Sequence, residues 1–447
     1  MSLIIHPQQH YNTSYIFRMA VPLMLSFLLE QLIGMTDVAF LGRVGEVELG
    51  AAALAGVYFL TLLMLGLGYS FGVQAYMSRR NGEKAHEDIG RAFRSGLIFL
   101  LMLSLGLILA SNLLSKLFFD ATCESPAVAN ASDTYLFWRV WGLPFAFASA
   151  IFRAFFIATL KPTILTASSL VMVGTNVVLN YMLIFGFGPI PALGIAGAAI
   201  ASTVSEIVCL LFFVLYTFRK VDHRRYALLG PVRWESGLQR TLFHLGRWLM
   251  IQEAFAFFAW LLFFLAVEHL GELPLAISNI VRQLCSTFFL FIHAFGSTCG
   301  AIAANLIGEG RPKDVPALCR RGLVTCTLCM LPFMLIVCAF PEATLSVFTN
   351  LNDVVDASLP TFFVMMGSFF IAIPSMYMLF VMGGMGLTKE SSVATMFAAV
   401  AYLIFIFTIT RLTGEVHIVW FADYVYYLVA SIVLGYYWKR GAWRRQL

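Results

Sequence analysis

Residues 20–45, AVPLMLSFLLEQLIGMTDVAFLGRVG, form an apolar run of membrane-spanning length that carries two acids, Glu30 and Asp37. A hydrocarbon core about 30 Å thick is crossed by about 20 apolar residues in a helix rising 1.5 Å per residue. Eleven more windows of this kind follow. The expected spans are 15–41, 49–77, 93–119, 135–158, 164–187, 193–218, 242–267, 275–306, 318–340, 359–384, 393–412 and 417–437. The composition agrees, since 60% of the 447 residues are hydrophobic and 12% charged, against roughly a quarter charged in an ordinary soluble domain. A water-soluble domain is excluded, and the chain reads as an all-α polytopic membrane protein.

The formal charge of +5 gathers on no soluble face, so nothing points to nucleic acid; the bases sit in short loops. Twelve crossings place both termini on one side. That side holds 21 Lys and Arg, including Arg233, Arg444 and Arg445, against four on the other, Arg43, Lys116, Arg139 and Arg411. The positive-inside tendency makes both termini cytoplasmic. Residues 1–12 are polar, with His6 and His10 and no basic n-region, so no removable signal peptide is expected. The longest polar stretch, 219–240, separates the sixth and seventh spans. It divides the chain into an amino-terminal lobe, 1–218, a cytoplasmic connector, 219–241, and a carboxy-terminal lobe with a basic tail, 242–447.

The halves resemble each other. At an offset of 226, Gly82, Glu83, Asp88 and Arg94 meet Gly308, Glu309, Asp314 and Arg320. Near the same register, the G-x-x-x-G pair Gly68 and Gly72 answers Gly296 and Gly300, a spacing that lets helices approach closely in lipid. Each half has an even number of crossings, so a pseudo-twofold axis along the membrane normal should relate two six-helix lobes. Gly68–Gly72 also reads as G-x-S-x-G, but a hydrolase elbow needs a strand before its serine. Cys326 and Cys329 form a C-x-x-C within an apolar run, where they read as small packing residues.

Ionisable groups at membrane depth call for a partner, a cavity or a function. Glu30, Asp37, Glu206 and Glu253 qualify. Glu30 and Asp37 are two turns apart on one face, and Asn176 and Asn180, at i and i+4, lie at a depth comparable to Asp37, with Ser202 and Thr203 nearby. Converging, a carboxylate, two amides and a hydroxyl would make an oxygen site for Na⁺ or a carboxyl that loads H⁺. Glu253 could pair with Arg282 or hold a cation or a cationic substrate. Pro22, Pro144, Pro332 and Pro374 interrupt spans as hinges, cavity linings or packed kinks.

The run 20–45, the stretch 176–202 (NVVLNYMLIFGFGPIPALGIAGAAIAS) and the loops MSRRNG and NLIGEGR together resemble the multidrug and toxic compound extrusion (MATE) family across all twelve spans. The resemblance implies a V-shaped pair of six-helix lobes in the inner membrane, without a cofactor, exporting amphipathic and often cationic compounds in exchange for Na⁺ or H⁺. It implies a cation site at Asp37, Asn176 and Asn180, with Ser202 or Thr203 as its hydroxyl, in a protein expected to be monomeric. Glu253 matches the seventh-span acid of one branch. That branch also has a tenth-span aspartate, where this chain has Met376 and Tyr377, so Glu253 takes a secondary role. A flippase for lipid-linked saccharides or peptidoglycan precursor is the rival. An enzyme is disfavoured because the eight histidines form no catalytic set.

Overall fold

The computed structural model describes residues 11–123, 125–189, 191–231, 235–349, 351–441 and 443. Residues 1–10, Arg233, Arg444 and Arg445, read above for signal and charge, lie outside them. Twelve helices are long and apolar enough to cross a membrane: α1 Thr13–Leu41, α2 Glu46–Gly82, α3 His86–Thr122, α4 Pro126–Ala158, α5 Thr163–Phe185, α6 Gly194–Lys220, α7 Ser236–Glu268, α8 Glu272–Gly308, α9 Pro312–Ala339, α10 Asn352–Gly384, α11 Thr388–Leu412 and α12 Val416–Lys439. No extended strand occurs among the described residues. Side chains such as Leu113 (79% exposed) and Ile432 (70% exposed) face outward, as a lipid-facing surface requires.

All twelve expected spans are present. The largest difference is in α4, which starts at Pro126 rather than Tyr135. Asn130, Ser132 and Asp133 read as loop residues, but the hydroxyl of buried Ser132 donates to the Ala51 carbonyl and Asp133 accepts from Ser115 at 2.6 Å. Helix packing has overridden local polarity. Arg139 therefore lies thirteen residues inside α4, about 20 Å along at 1.5 Å per residue. This corrects its placement among the loop bases, and the far side retains Arg43, Lys116 and Arg411. Just beyond it, α4 tightens to a 3-10 turn at Val140–Gly142 ahead of Pro144, whose ring and missing N–H forbid a regular α turn there.

Buried apolar side chains form two clusters. One runs from Leu23 to Leu242 with Ala294 and Ala301; the other runs from Ala259 to Trp443 and takes in Tyr11, Ile16 and Ala20. The first turns of α1 thus pack with the second cluster and the rest of α1 with the first. The glycine pairs serve different seams. Gly68 and Gly72 press on the backbone of α7 at Met250 and Gly246, where a β-carbon would come within 2.8 and 2.6 Å, while Gly296 and Gly300 press on α10 at Phe380 and Gly384.

At the end of the bundle that carries the basic loops, the halves are locked together. A β-carbon on Gly82 would lie 2.0 Å from the Asn305 carbonyl oxygen, and one on Gly308 would lie 2.2 Å from that of Arg79. These two glycines are the ones paired by the sequence offset, so the repeats meet through equivalent residues. Asn81 donates to Asn305 at 2.6 Å, Asn305 donates to the Ala158 carbonyl at 3.2 Å, and the Tyr11 hydroxyl donates to Glu309 at 2.9 Å.

Candidate functional site

α1 and α5 run side by side in one direction and are joined by a polar ladder. Thr166 donates to the Pro22 carbonyl at 2.7 Å, Ser26 and Ser169 share a 2.7 Å hydrogen bond, and Ser169 donates to Glu30 at 2.8 Å. Pro374 and Pro332 lack such a partner among the described bonds. The hydroxyl of Thr166 thus ties α5 to α1 at Pro22 itself, one turn beyond Arg18, whose carbonyl loses its helical donor to the proline. Glu30 also forms an ion pair with Arg153 of α4, and Arg153 donates to Ser26 at 3.2 Å. The partner that an acid at membrane depth calls for is, for Glu30, Arg153.

Two turns further along the same faces, four residues close a ring. Asn180 Nδ2 donates to Asp37 Oδ1 at 2.5 Å and to Asn176 Oδ1 at 3.1 Å; Asn176 Nδ2 donates to Ser202 Oγ at 3.1 Å; and Ser202 Oγ donates to Asp37 Oδ2 at 3.1 Å. Thr36 adds a 3.4 Å contact to Asn176 Oδ1. Asn176 and Asn180 are fully buried and Ser202 nearly so. Every donor in the ring points toward Asp37 directly or through a neighbour, an arrangement that stabilises a carboxylate. Asn180 Oδ1 is buried without a hydrogen-bond partner. An acceptor oxygen left open beside a carboxylate is what a cation or a hydronium ion would use.

Thr203, the next residue along α6, turns its hydroxyl to the Trp138 carbonyl at 3.2 Å and stays outside the ring. Successive helix residues are rotated by about 100°, so only one of the pair can face Asp37. Glu206, one turn beyond Ser202, pairs with Arg139 at 2.6 Å, both side chains being 12% exposed. Arg139 also stacks over Phe59 at 3.8 Å. Gly142 makes room for this pair: a β-carbon there would meet Glu206 Oε2 at 2.2 Å and Arg139 Nη1 at 2.6 Å. The charge of Arg139 acts on Asp37 as well. Sequence reasoning missed Arg139 as a neighbour of this site because a span starting at Tyr135 puts it four residues from the end, whereas α4 starts at Pro126.

Glu253 of α7 lines a cleft between the two halves with Phe71, Gln74, Gln252, His293 and Ser391. The His293 ring is stacked between Phe27 of α1 and Phe380 of α10, with centroids at 4.7 and 4.3 Å. Glu253 and Arg282 do not pair, contrary to one of the expected readings. Arg282 lies instead over Trp260, Phe263, Phe264 and Trp420 at 5.0 to 5.7 Å. Its charge acts on Asp423 of α12, a buried acid that the sequence reading passed over. Tyr377 points away from the cleft, with its hydroxyl beside Cys299 and Gly322. Among the described residues no cluster of three or more His, Cys, Asp or Glu could hold a metal, so a Na⁺ site would rest on amide and hydroxyl oxygens around one carboxylate.

Comparisons with known proteins agree with this layout. The MatE family model matches twice, over residues 22–182 and 249–408, so the two matched segments are offset by 226 to 227 residues, the register of the internal repeat. The chain is 29% identical over 350 residues to a protein described as a probable multidrug resistance protein NorM from Deinococcus radiodurans, covering 77% of this chain and 75% of that one. It is 29% identical over 328 residues to its Bradyrhizobium diazoefficiens counterpart, covering 72% and 69%. Among solved structures, a MATE crystallised with MaL6 superposes with a TM-score of 0.87 at 17% identity over 96% of both chains. An outward-facing MATE transporter of the MOP superfamily gives 0.85 at 18% identity over 97% of both. With twelve membrane-spanning helices and a family match in each half, the chain belongs to the MatE family, the multidrug and toxic compound extrusion transporters.

Proposed function

We propose that this protein exports amphipathic organic cations in exchange for Na⁺ or H⁺, with Asp37 as the coupling group. The observation that carries the reading is the ring of Asp37, Asn176, Asn180 and Ser202, in which Asn180 Oδ1 is buried without a hydrogen-bond partner. A bound cation fills that oxygen and holds α1, α5 and α6 together; its release frees α1 to shift, and α1 reaches across to both apolar clusters. Cation and cargo then drive a population shift between forms open to opposite sides. Glu253, which has no ion pair among the described residues, supplies negative charge in the cleft, and the aromatic side chains Phe71 and Phe380 supply contact and cation–π attraction. The relatives' description as multidrug resistance proteins supports this cargo. The basic end, with both termini, faces the cytoplasm of a cell bounded by its inner membrane, and the protein works as a monomer of two lobes divided near 219–241.

The flippase alternative needs free bases at membrane depth to hold a pyrophosphate. Arg139 and Arg153 are committed to Glu206 and Glu30, and Arg282, which has no ion pair among the described residues, is enclosed by four aromatic rings, which weighs against it. The test is purified protein in liposomes, with ethidium movement followed under an imposed Na⁺ gradient and, separately, an imposed pH gradient. One of the two gradients is expected to drive dye. Movement of a lipid-linked saccharide with no response of dye to either gradient overturns the reading.

A further inference from the structure

α9 and α12 both pack against α10 and scarcely touch each other, which leaves a groove of about 420 Å³ between them. Its floor is Pro374 and Met378 of α10. Ser375 donates to the Tyr427 carbonyl at 3.1 Å and ties α10 to α12 at the inner end. One wall is Ser431, Leu434, Gly435 and Trp438, at i, i+3, i+4 and i+7 on a single face of α12. From Ser431 to Trp438 the wall runs about 10 Å at 1.5 Å per residue. The opposite wall is Cys319, Arg320 and Leu323 of α9. Val324 and Ile432, the neighbours of wall residues, are 51% and 70% exposed, so the groove opens to lipid and not to the interlobe cleft.

Two features distinguish this groove from a packing gap. A β-carbon on Gly435 would meet nothing within 4 Å, so alanine would fit there and would strengthen the helix; glycine keeps the wall low. The mouth, at the basic end of the bundle, is charged. Arg320 is exposed, lines the groove, and makes no ion pair or side-chain hydrogen bond among the described residues. Asp314, six residues before it, is held by Arg311 at 2.6 Å. Lys439, next to Trp438, is also exposed and unpaired among the described residues. Trp438 stands one residue from the end of α12, at the level where indole rings anchor a protein among headgroups. Unpaired bases above a narrow apolar slot complement a phosphate with a hydrocarbon chain beneath it.

We propose that this groove is a docking site for one anionic phospholipid of the leaflet at the basic end. Its phosphate takes the guanidinium of Arg320, with Lys439 adding charge, and one acyl chain lies over Gly435 between Leu323 and Leu434, down to Met378. The lipid then sits against α10 at Pro374, where the helix lacks a backbone N–H. Phe380, six residues further along α10, walls the cleft and stacks on His293, so the lipid braces the back of a helix whose front faces the cleft.

The test titrates purified full-length protein in detergent with phosphatidylglycerol and, separately, with phosphatidylcholine of the same chains, and counts bound lipid by native mass spectrometry. The wild type is expected to bind the first phosphatidylglycerol about fivefold more tightly than the first phosphatidylcholine, the contribution of one base near an anionic headgroup. Arg320→Gln should bring that ratio close to one, while Arg219→Gln, at the same end on α6, leaves it in place. Gly435→Phe fills the groove and should remove the first lipid of both kinds. Gly106→Phe is the control, on an exposed glycine of α3 whose β-carbon also meets nothing within 4 Å, and should retain it. A ratio in Arg320→Gln equal to that in Arg219→Gln, or lipid retained by Gly435→Phe as by Gly106→Phe, overturns the proposal. So does a wild type that binds the two lipids equally. Glycerol 3-phosphate, which has the phosphate and no chains, should not compete; displacement of phosphatidylglycerol by it at equal concentration would give the site to a free phosphate and overturn the lipid.

Discussion

Replacing Gly308 with alanine tests whether the seam at the basic end is a state rather than a permanent joint. The new β-carbon would lie 2.2 Å from the Arg79 carbonyl oxygen and 2.9 Å from the Glu83 nitrogen, whereas ordinary contact begins near 3.4 Å. The difference, 3.4 − 2.2, means that the tips of α2 and α8 must part by 1.2 Å, and the obstacle is backbone that cannot rotate away. Overpacking of this kind costs about 1–3 kcal/mol, borne only by the form in which the tips touch. Alanine also strengthens the helix by about 0.5–1 kcal/mol, but it does so in every conformation and leaves the balance unchanged. A shift of 1.4 kcal/mol is about tenfold in an equilibrium ratio, so the ratio of closed to open forms at this end should fall by about tenfold. Spin labels at Lys84→Cys and Lys313→Cys report the separation by dipolar spectroscopy. The expected result is a longer distance distribution in Gly308→Ala, with Gly106→Ala, whose β-carbon meets nothing within 4 Å, unchanged. Equal distributions in Gly308→Ala and the parent would refute the reasoning.

Other outcomes follow from the same contacts. Arg139→Gln and Glu206→Gln each strand a buried charge and should lower unfolding stability by about 3 kcal/mol, while the double variant recovers most of it; chemical denaturation in detergent measures this, and additive losses would count against the pair. Ser202→Ala should weaken cation binding about tenfold and Thr203→Ala should leave it unchanged, since only the former donates to Asp37; cation titrations followed by tryptophan fluorescence separate them. Glu253→Gln should reduce affinity for a cationic dye several-fold with cation affinity at Asp37 retained, and parallel loss of both would merge two sites that the structure keeps apart.

The helical fold was legible because hydropathy over 20 residues is a sum that local exceptions scarcely change. The Asp37 site was legible for a similar reason: i, i+4 and i, i+7 spacings fix a face, and the asparagines of α5 face α1 as their spacing requires. What the sequence concealed depended on partners. Residues 126–134 look like a loop until Ser132 is seen bonded to the Ala51 carbonyl, and without them Arg139 sits at a span end instead of thirteen residues inside α4. Nothing in the order of residues distinguishes Ser202 from Thr203, which differ by one step around α6. Arg282 was matched to Glu253 by depth and charge alone, and depth does not say which side of a helix a group takes; α8 turns it toward the aromatic rings of α7 and α12. Asp423 passed unnoticed although it lies inside the expected span 417–437, because it sits near the start of that span, where an acid is readily read as an end residue; in the structure it lies seven residues inside α12.

The claim on which the account rests is that cargo and cation compete through Asp37. Saturating purified protein with ethidium and recording the cation released, as protons with a pH indicator in weak buffer and as Na⁺ by sodium resonance, addresses it directly. The account predicts release of one of the two from the wild type and none from Asp37→Asn, with the dye still bound. Equal release from Asp37→Asn and the wild type would contradict it.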